Sequence, residues 1–133
     1  MKRVTGIGGV FIKATDPQKL QAWYEEHLGL KAVHGAVIFQ CPSEPEEISR
    51  AQTVWAIFGR DTKYFEPSRA DFMINFRVEN LTALIEQLRA EGVEVDERTE
   101  EYEHGRFGWI QDPEGNRIEL WEPPAANAVE EAK

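Results

Sequence analysis

The order of elements repeats once within 133 residues, and this repeat constrains the fold more than any other feature. Val10, Ile12 and Ala14 alternate with Phe11 and Lys13 in a predicted strand over Val4–Ala14. Ile74, Phe76 and Val78 stand 64 positions later, in a second predicted strand over Phe72–Val78. A helix follows each. Asp16 offers an N-cap, Pro17 suits the first helical position, and Leu20, Trp23, Tyr24 and Leu28 form one apolar stripe that stops at Gly29. In the second half Leu81, Leu84, Ile85 and Leu88 form the stripe and Gly92 the stop. The pairs Gly29-Leu30 and Gly92-Val93 are 63 apart, which is read as one residue of slippage between strand and helix.

Further strands are expected at 30–39 and 53–58, then a short one from Val93 and Val95, then at 106–111 and 117–121. The closing strands are matched at 64: Val54 with Ile118 and Ala56 with Leu120. Residues 42–50, 59–70 and 97–103 read as connections, the last strongly acidic. Asp112-Pro113-Glu114-Gly115-Asn116 reads as a tight reversal. The expected fold is therefore α+β: two tandem βαβββ modules, about 4–65 and 70–123, forming a curved sheet around a cleft. Residues 1–124 form a single domain and 125–133 a flexible tail. Neither module has enough core to stand alone. Between them, the side chains pointing away from the helices would line a small-molecule site.

Charge narrows the partners. Lys and Arg total 15 against 24 Asp and Glu, a net of −9, which repels nucleic-acid backbones and anionic membranes alike. The single cysteine, Cys41, excludes an internal disulfide and a cysteine-rich zinc site. No run approaches the roughly 18 apolar residues of a membrane span, and no apolar stretch of leader length follows the first residues. A cytoplasmic setting is expected. Gly6, Gly8 and Gly9 precede a strand, so they lack the helix N-terminus a phosphate loop needs.

Three segments carry a family resemblance. Ile7-Gly8-Gly9-Val10 leads to Asp16-Pro17, Trp23-Tyr24 and Leu28-Gly29-Leu30, and Asn75-Phe76-Arg77-Val78 leads to Gly92-Val93. The most specific is Gly108-Trp109-Ile110-Gln111-Asp112-Pro113-Glu114-Gly115-Asn116-Arg117-Ile118-Glu119-Leu120-Trp121. Over about 4–123 the chain resembles the glyoxalase/bleomycin resistance/dioxygenase superfamily, the vicinal oxygen chelate proteins. The resemblance implies a metal cleft with one ligand from each of four strand positions, falling here on Gly9, Trp55, Met73 and Glu119. Gly9 has no side chain, Trp55 has no acceptor, and Met73 offers only a soft thioether. Glu119 alone would not hold zinc, nickel, manganese or iron. The expectation is no cofactor, with a divalent metal as the alternative.

Glu119 is expected to face the cleft, either as a substrate-binding carboxylate or general base, or in a salt bridge with Arg117 or Arg106. Trp55, Met73, Glu119, His104, Arg106, Tyr64 and Trp109 are the candidate ligand-binding residues. His104 beside Glu103 suits acid–base chemistry or is a solvated loop histidine. Tyr64 and Phe65 lie in a connection that would form a lid or a dimer contact. Arg77 is expected in surface ion pairs, and Cys41 is expected to be inert. Three functions are compatible with these residues. The first is a small-molecule binder of the bleomycin-resistance type without the metal, as a homodimer. The second is a glyoxalase I-like lyase or isomerase, or a metal-independent enzyme with Glu119 as base. The third is an interaction module whose cleft is filled by Trp55 and Met73.

Overall fold

The computed structural model describes residues 3–40 and 52–124. The expectations for Cys41, the 42–50 connection and the 125–133 tail lie outside the described residues. The elements follow in the order β1 (Val4–Ala14), α1 (Pro17–Leu28), β2 (Ala36–Phe39), β3 (Thr53–Gly59), β4 (Phe72–Val78), α2 (Leu81–Ala90), β5 (Glu94–Val95), β6 (Glu100–Tyr102), β7 (Gly105–Gln111) and β8 (Arg117–Glu122). The eight strands form one mixed sheet in the order β2-β3-β1-β4-β8-β7-β5, with β6 also on β7.

The two halves meet where β1 runs antiparallel to β4, and Val10 pairs with Ile74, its own counterpart in the repeat. Each half then repeats one connection: β3 lies parallel to β1, and β8 lies parallel to β4. The helices start as the sequence indicates. Asp16 Oδ1 accepts from the Lys19 N–H at 3.1 Å and Asn80 Oδ1 from the Ala83 N–H at 3.1 Å, each filling an otherwise unpaired first-turn donor. Gly29 ends α1 at φ 70°, in the left-handed region that glycine enters freely.

Two elements differ from expectation. The strand over 30–39 shrinks to Ala36–Phe39, because His34 (φ 53°) and Gly35 (φ 81°) turn the chain and leave only a Val33–Ala36 bridge before them. Within the acidic 97–103 connection, Glu100–Tyr102 forms β6 on β7. Charge on an outer strand blunts pairing with other chains, so acidity there does not exclude a strand.

Both helices pack on one face. Leu81, Leu84 and Ile85 of α2 join Val78 and Leu120 in one buried cluster. The opposite face carries a second cluster, formed by Phe11, Phe65, Met73, Phe107, Trp109 and Trp121. Phe65 comes from the β3–β4 connection and is fully buried, so this connection is docked on the helix-free face.

Candidate active site around Glu119

The reversal before β8 positions Glu119. Asp112 Oδ1 accepts from the main-chain N–H groups of Glu114 and Asn116, both at 2.9 Å, and Oδ2 accepts from Asn116 Nδ2 at 3.0 Å. Gly115 turns the chain at φ 84°. This fixes Gln111 opposite Arg117 and hence Trp109 opposite Glu119. Along β8, Ile118 and Leu120 pack toward α2, so alternation sends Glu119 to the other face.

There Glu119 is 2% exposed. Asn75 Nδ2, from the paired position on β4, donates to Oε1 at 2.6 Å. Trp109 Nε1 donates to Oε2 at 2.9 Å, and the Tyr64 hydroxyl donates to the same oxygen. Burial raises the Glu119 carboxyl above the ordinary carboxylate range, although all three hydrogen bonds pull the other way. Burial, and then the charge of Glu119, also holds the Tyr64 hydroxyl in its protonated form. Arg117 and Arg106 take other partners than Glu119: Arg117 Nη1 donates to Asp96 Oδ2 at 3.3 Å and Arg106 Nη2 to Thr82 Oγ1 at 2.9 Å.

A cavity of about 220 Å³ opens beside this carboxylate. Its walls are aromatic: Phe11, Phe58, Tyr64, Tyr102, Phe107 and Trp121. Phe58 and Tyr64 stack on each other at 5.6 Å, and Phe107 and Trp121 at 6.2 Å, as two near-parallel aromatic pairs in the wall. Gly8, Asn75 and Glu119 form the polar end. A side chain at Gly8 would overlap Asn75 Oδ1 and come within 2.8 Å of Trp121, so only glycine leaves this end open.

The candidate residues separate into two groups. Tyr64, Trp109 and Glu119 are brought together by hydrogen bonds. Met73 is fully buried in the cluster beneath them. His104 lies at the cavity's edge, stacked on Tyr102 at 5.5 Å, while its carbonyl accepts from Trp121 Nε1 at 2.7 Å. Trp55 and Arg106 do not join them. Trp55 lies on the helix side with its ring 5.1 Å from Tyr24 of α1, and Arg106 reaches Thr82 of α2.

The Trp55 placement is a correction of one residue. Phe11 and Asn75, 64 positions apart, pair with Ala56 and Glu119, which are 63 apart. The slippage between strand and helix therefore persists to the closing strand, and Ala56, not Trp55, is the counterpart of Glu119. The 63-residue spacing of the glycine stops already carried this signal. Arg77 Nη1 donates to the carbonyls of Ile7 at 3.0 Å and Gln52 at 2.7 Å. Sequence reasoning did not single out Asn75, although it sits two residues beyond Met73 on the same strand face.

A divalent metal at the family position does not fit these residues. With Ala56 in place of Trp55, the four positions implied by the resemblance are Gly9, Ala56, Met73 and Glu119, which together offer one carboxylate and one thioether. Both carboxylate oxygens already accept hydrogen bonds from the chain. Among the described residues no group of three His, Cys, Asp or Glu is placed to hold a metal ion.

The comparisons with known proteins agree with this architecture. The methylmalonyl-CoA epimerase from Mycobacterium tuberculosis superposes with a TM-score of 0.66 at 25% identity, covering 97% of this chain and 95% of that one. A Streptomyces coelicolor methylmalonyl-CoA epimerase gives 0.69 at 17% identity, covering 92% of this chain and 99% of that one. A glyoxalase/bleomycin resistance protein/dioxygenase superfamily member from Vibrio splendidus 12B01 gives 0.56 at 10% identity, over 87% and 97%. No curated protein matches the sequence. The pattern of the glyoxalase-like domain family matches residues 9–121, and the chain belongs to that family, a branch of the glyoxalase/bleomycin resistance superfamily and its small-molecule-binding fold.

Proposed function

We propose that this protein binds a compact, planar small molecule, neutral or cationic, in the aromatic cavity beside Glu119, without a metal. The observation that carries the reading is the combination of aromatic walls with a buried carboxylate held by three neutral donors. Ring faces bind planar groups by stacking and cations through their negative π-surface. The Streptomyces coelicolor epimerase, which shares the fold, was solved with 2-nitronate-propionyl-CoA bound.

Indole titrated by calorimetry and by ligand-observed NMR tests the cavity. Wild-type protein is expected to bind it, and Val54→Trp, which fills the cavity from β3, to bind at least about tenfold more weakly, or ~1.4 kcal/mol. Equal binding by the two proteins contradicts the assignment.

A second reading, an isomerase with Glu119 as general base, draws on the raised Glu119 pKa, which makes this carboxylate a stronger base than an ordinary one. Its test is exchange of the acidic proton of methylmalonyl-CoA in D₂O. Exchange that disappears in Glu119→Gln supports the base; no exchange retires it for this substrate class.

The homodimer belongs to the same proposal. No residue of α1 is buried, and Trp23, Leu28, Val33, Ile38 and Phe39 are exposed on the first half. A second copy covering these side chains would complete their burial. Sedimentation equilibrium should give a dimer that Trp23→Glu dissociates; a wild-type monomer at micromolar concentration contradicts it. No helix among the described residues is long and apolar enough to cross a membrane. The acidity and single cysteine suit a cytoplasmic setting.

A further inference from the structure

A second cavity adjoins the first at Tyr64. Tyr64 lines both cavities, and Trp109, which donates to Glu119, is part of the second one's wall. This second space is about 630 Å³. Its anchor is Arg117, whose side chain is 8% exposed and whose guanidinium lies 5.1 Å from the centre of the Trp109 ring. A guanidinium carries five N–H donors. Nη1 reaches Asp96 Oδ2 at 3.3 Å, while the buried Nε has no hydrogen-bond partner. A buried, charged donor set left this incomplete is costly unless another acceptor joins it.

The surrounding charges indicate which acceptor. Lys63 and Arg98 line the same space. Asp96 is already engaged: Oδ1 accepts from the Arg98 N–H at 2.9 Å, and this bond and Arg117 hold its carboxyl below the ordinary range. Glu100 accepts from the Tyr102 hydroxyl at 2.8 Å. Glu66 adds another negative charge at the rim. Arg98 Nε also lies 3.8 Å from Asp96 Oδ1, and the three cations and three carboxylates balance, so the field disfavours a multiply charged anion and the incomplete donors of Arg117 select a singly charged acceptor. Trp109 and Pro67 supply apolar wall.

We propose that this cavity is a second binding site, taking a compact molecule with a single carboxylate, which Arg117 receives with Lys63 and Arg98. Guanidinium suits this role because its planar fork matches the two oxygens of a carboxylate.

Benzoate is the probe. In ¹H–¹⁵N spectra of the arginine Nε–H groups, the resonance absent from Arg117→Lys identifies Arg117, and benzoate is expected to shift it. Lys63→Met alters an exposed side chain and keeps the test valid if Arg117→Lys does not fold. It is expected to weaken benzoate binding about two- to fivefold, as for loss of one exposed ion pair. Val54→Trp should leave benzoate binding intact while weakening indole, which separates this site from the aromatic cavity. An unshifted Arg117 resonance, unchanged affinity in Lys63→Met, or tighter binding of inorganic phosphate than of benzoate would each overturn the proposal.

Discussion

The two halves share a topology but differ in how they use it. In the second half α2 buries Leu81, Leu84 and Ile85, and β8 places Leu120 at 2% exposure against them. In the first half α1 buries no residue, and every position of β3 is half-exposed. The polar groups follow the same asymmetry. Asn75, Trp109 and Glu119 all belong to the second half, and Tyr64 reaches them from the connection between halves. The first half supplies Gly8, Phe11, Val54 and Phe58, which are small or apolar. The repeat thus provides a well-packed half that fixes the Glu119 carboxyl and a loosely packed half that walls the aromatic cavity. Precise placement of a buried carboxylate needs the rigid support, whereas an apolar wall does not.

Truncation in each half tests this contrast most strongly. Leu81→Ala should cost about 2–5 kcal/mol, since it opens a cavity in a packed cluster, whereas Leu28→Ala on exposed α1 should stay within about 0.5 kcal/mol. Chemical denaturation of both variants checks it, and equal losses would erase the distinction. Next in size, Tyr64→Phe removes one donor from a buried carboxylate and should cost about 1–3 kcal/mol. It should also raise the Glu119 pKa further, visible by carboxyl ¹³C NMR. Smaller again, Asn80→Ala should lower global stability by about 1 kcal/mol through the lost cap. Asp16→Ala should instead accelerate amide exchange in α1, because that helix opens locally.

The pH dependence sharpens the role of Glu119. Its folded-state pKa is raised, so the folded protein binds this proton more tightly than the unfolded chain does. Stability should therefore fall as pH rises from the ordinary carboxylate range through the raised value. Asp96 acts in the opposite direction: its lowered pKa gives stability present above the ordinary value and lost as pH falls through the lowered one. Subtracting the Glu119→Gln profile from wild type isolates the first effect. A difference profile that rises with pH contradicts the assignment.

Much of this was legible in the sequence because the signals are local. Asp16-Pro17 and Gly29 bounded α1 correctly, and Asp112 to Asn116 fixed the reversal that sets Trp109 against Glu119. Trp55 was misplaced because register along a strand has period two, so a one-residue error in the offset exchanges the faces. β6 was hidden because outer strands tolerate charge, which makes them resemble loops. The capture of Glu119 by Tyr64 depends on how a loop docks, and no periodicity encodes that.

Tyr64, Asn75 and Trp109 engage both oxygens of the Glu119 carboxylate, which leaves it unsuited to hold an ion. Calorimetric titration of metal-stripped protein with zinc and with nickel tests this most directly. No stoichiometric heat is expected with either ion. Tight one-to-one binding that disappears in Glu119→Gln would contradict this.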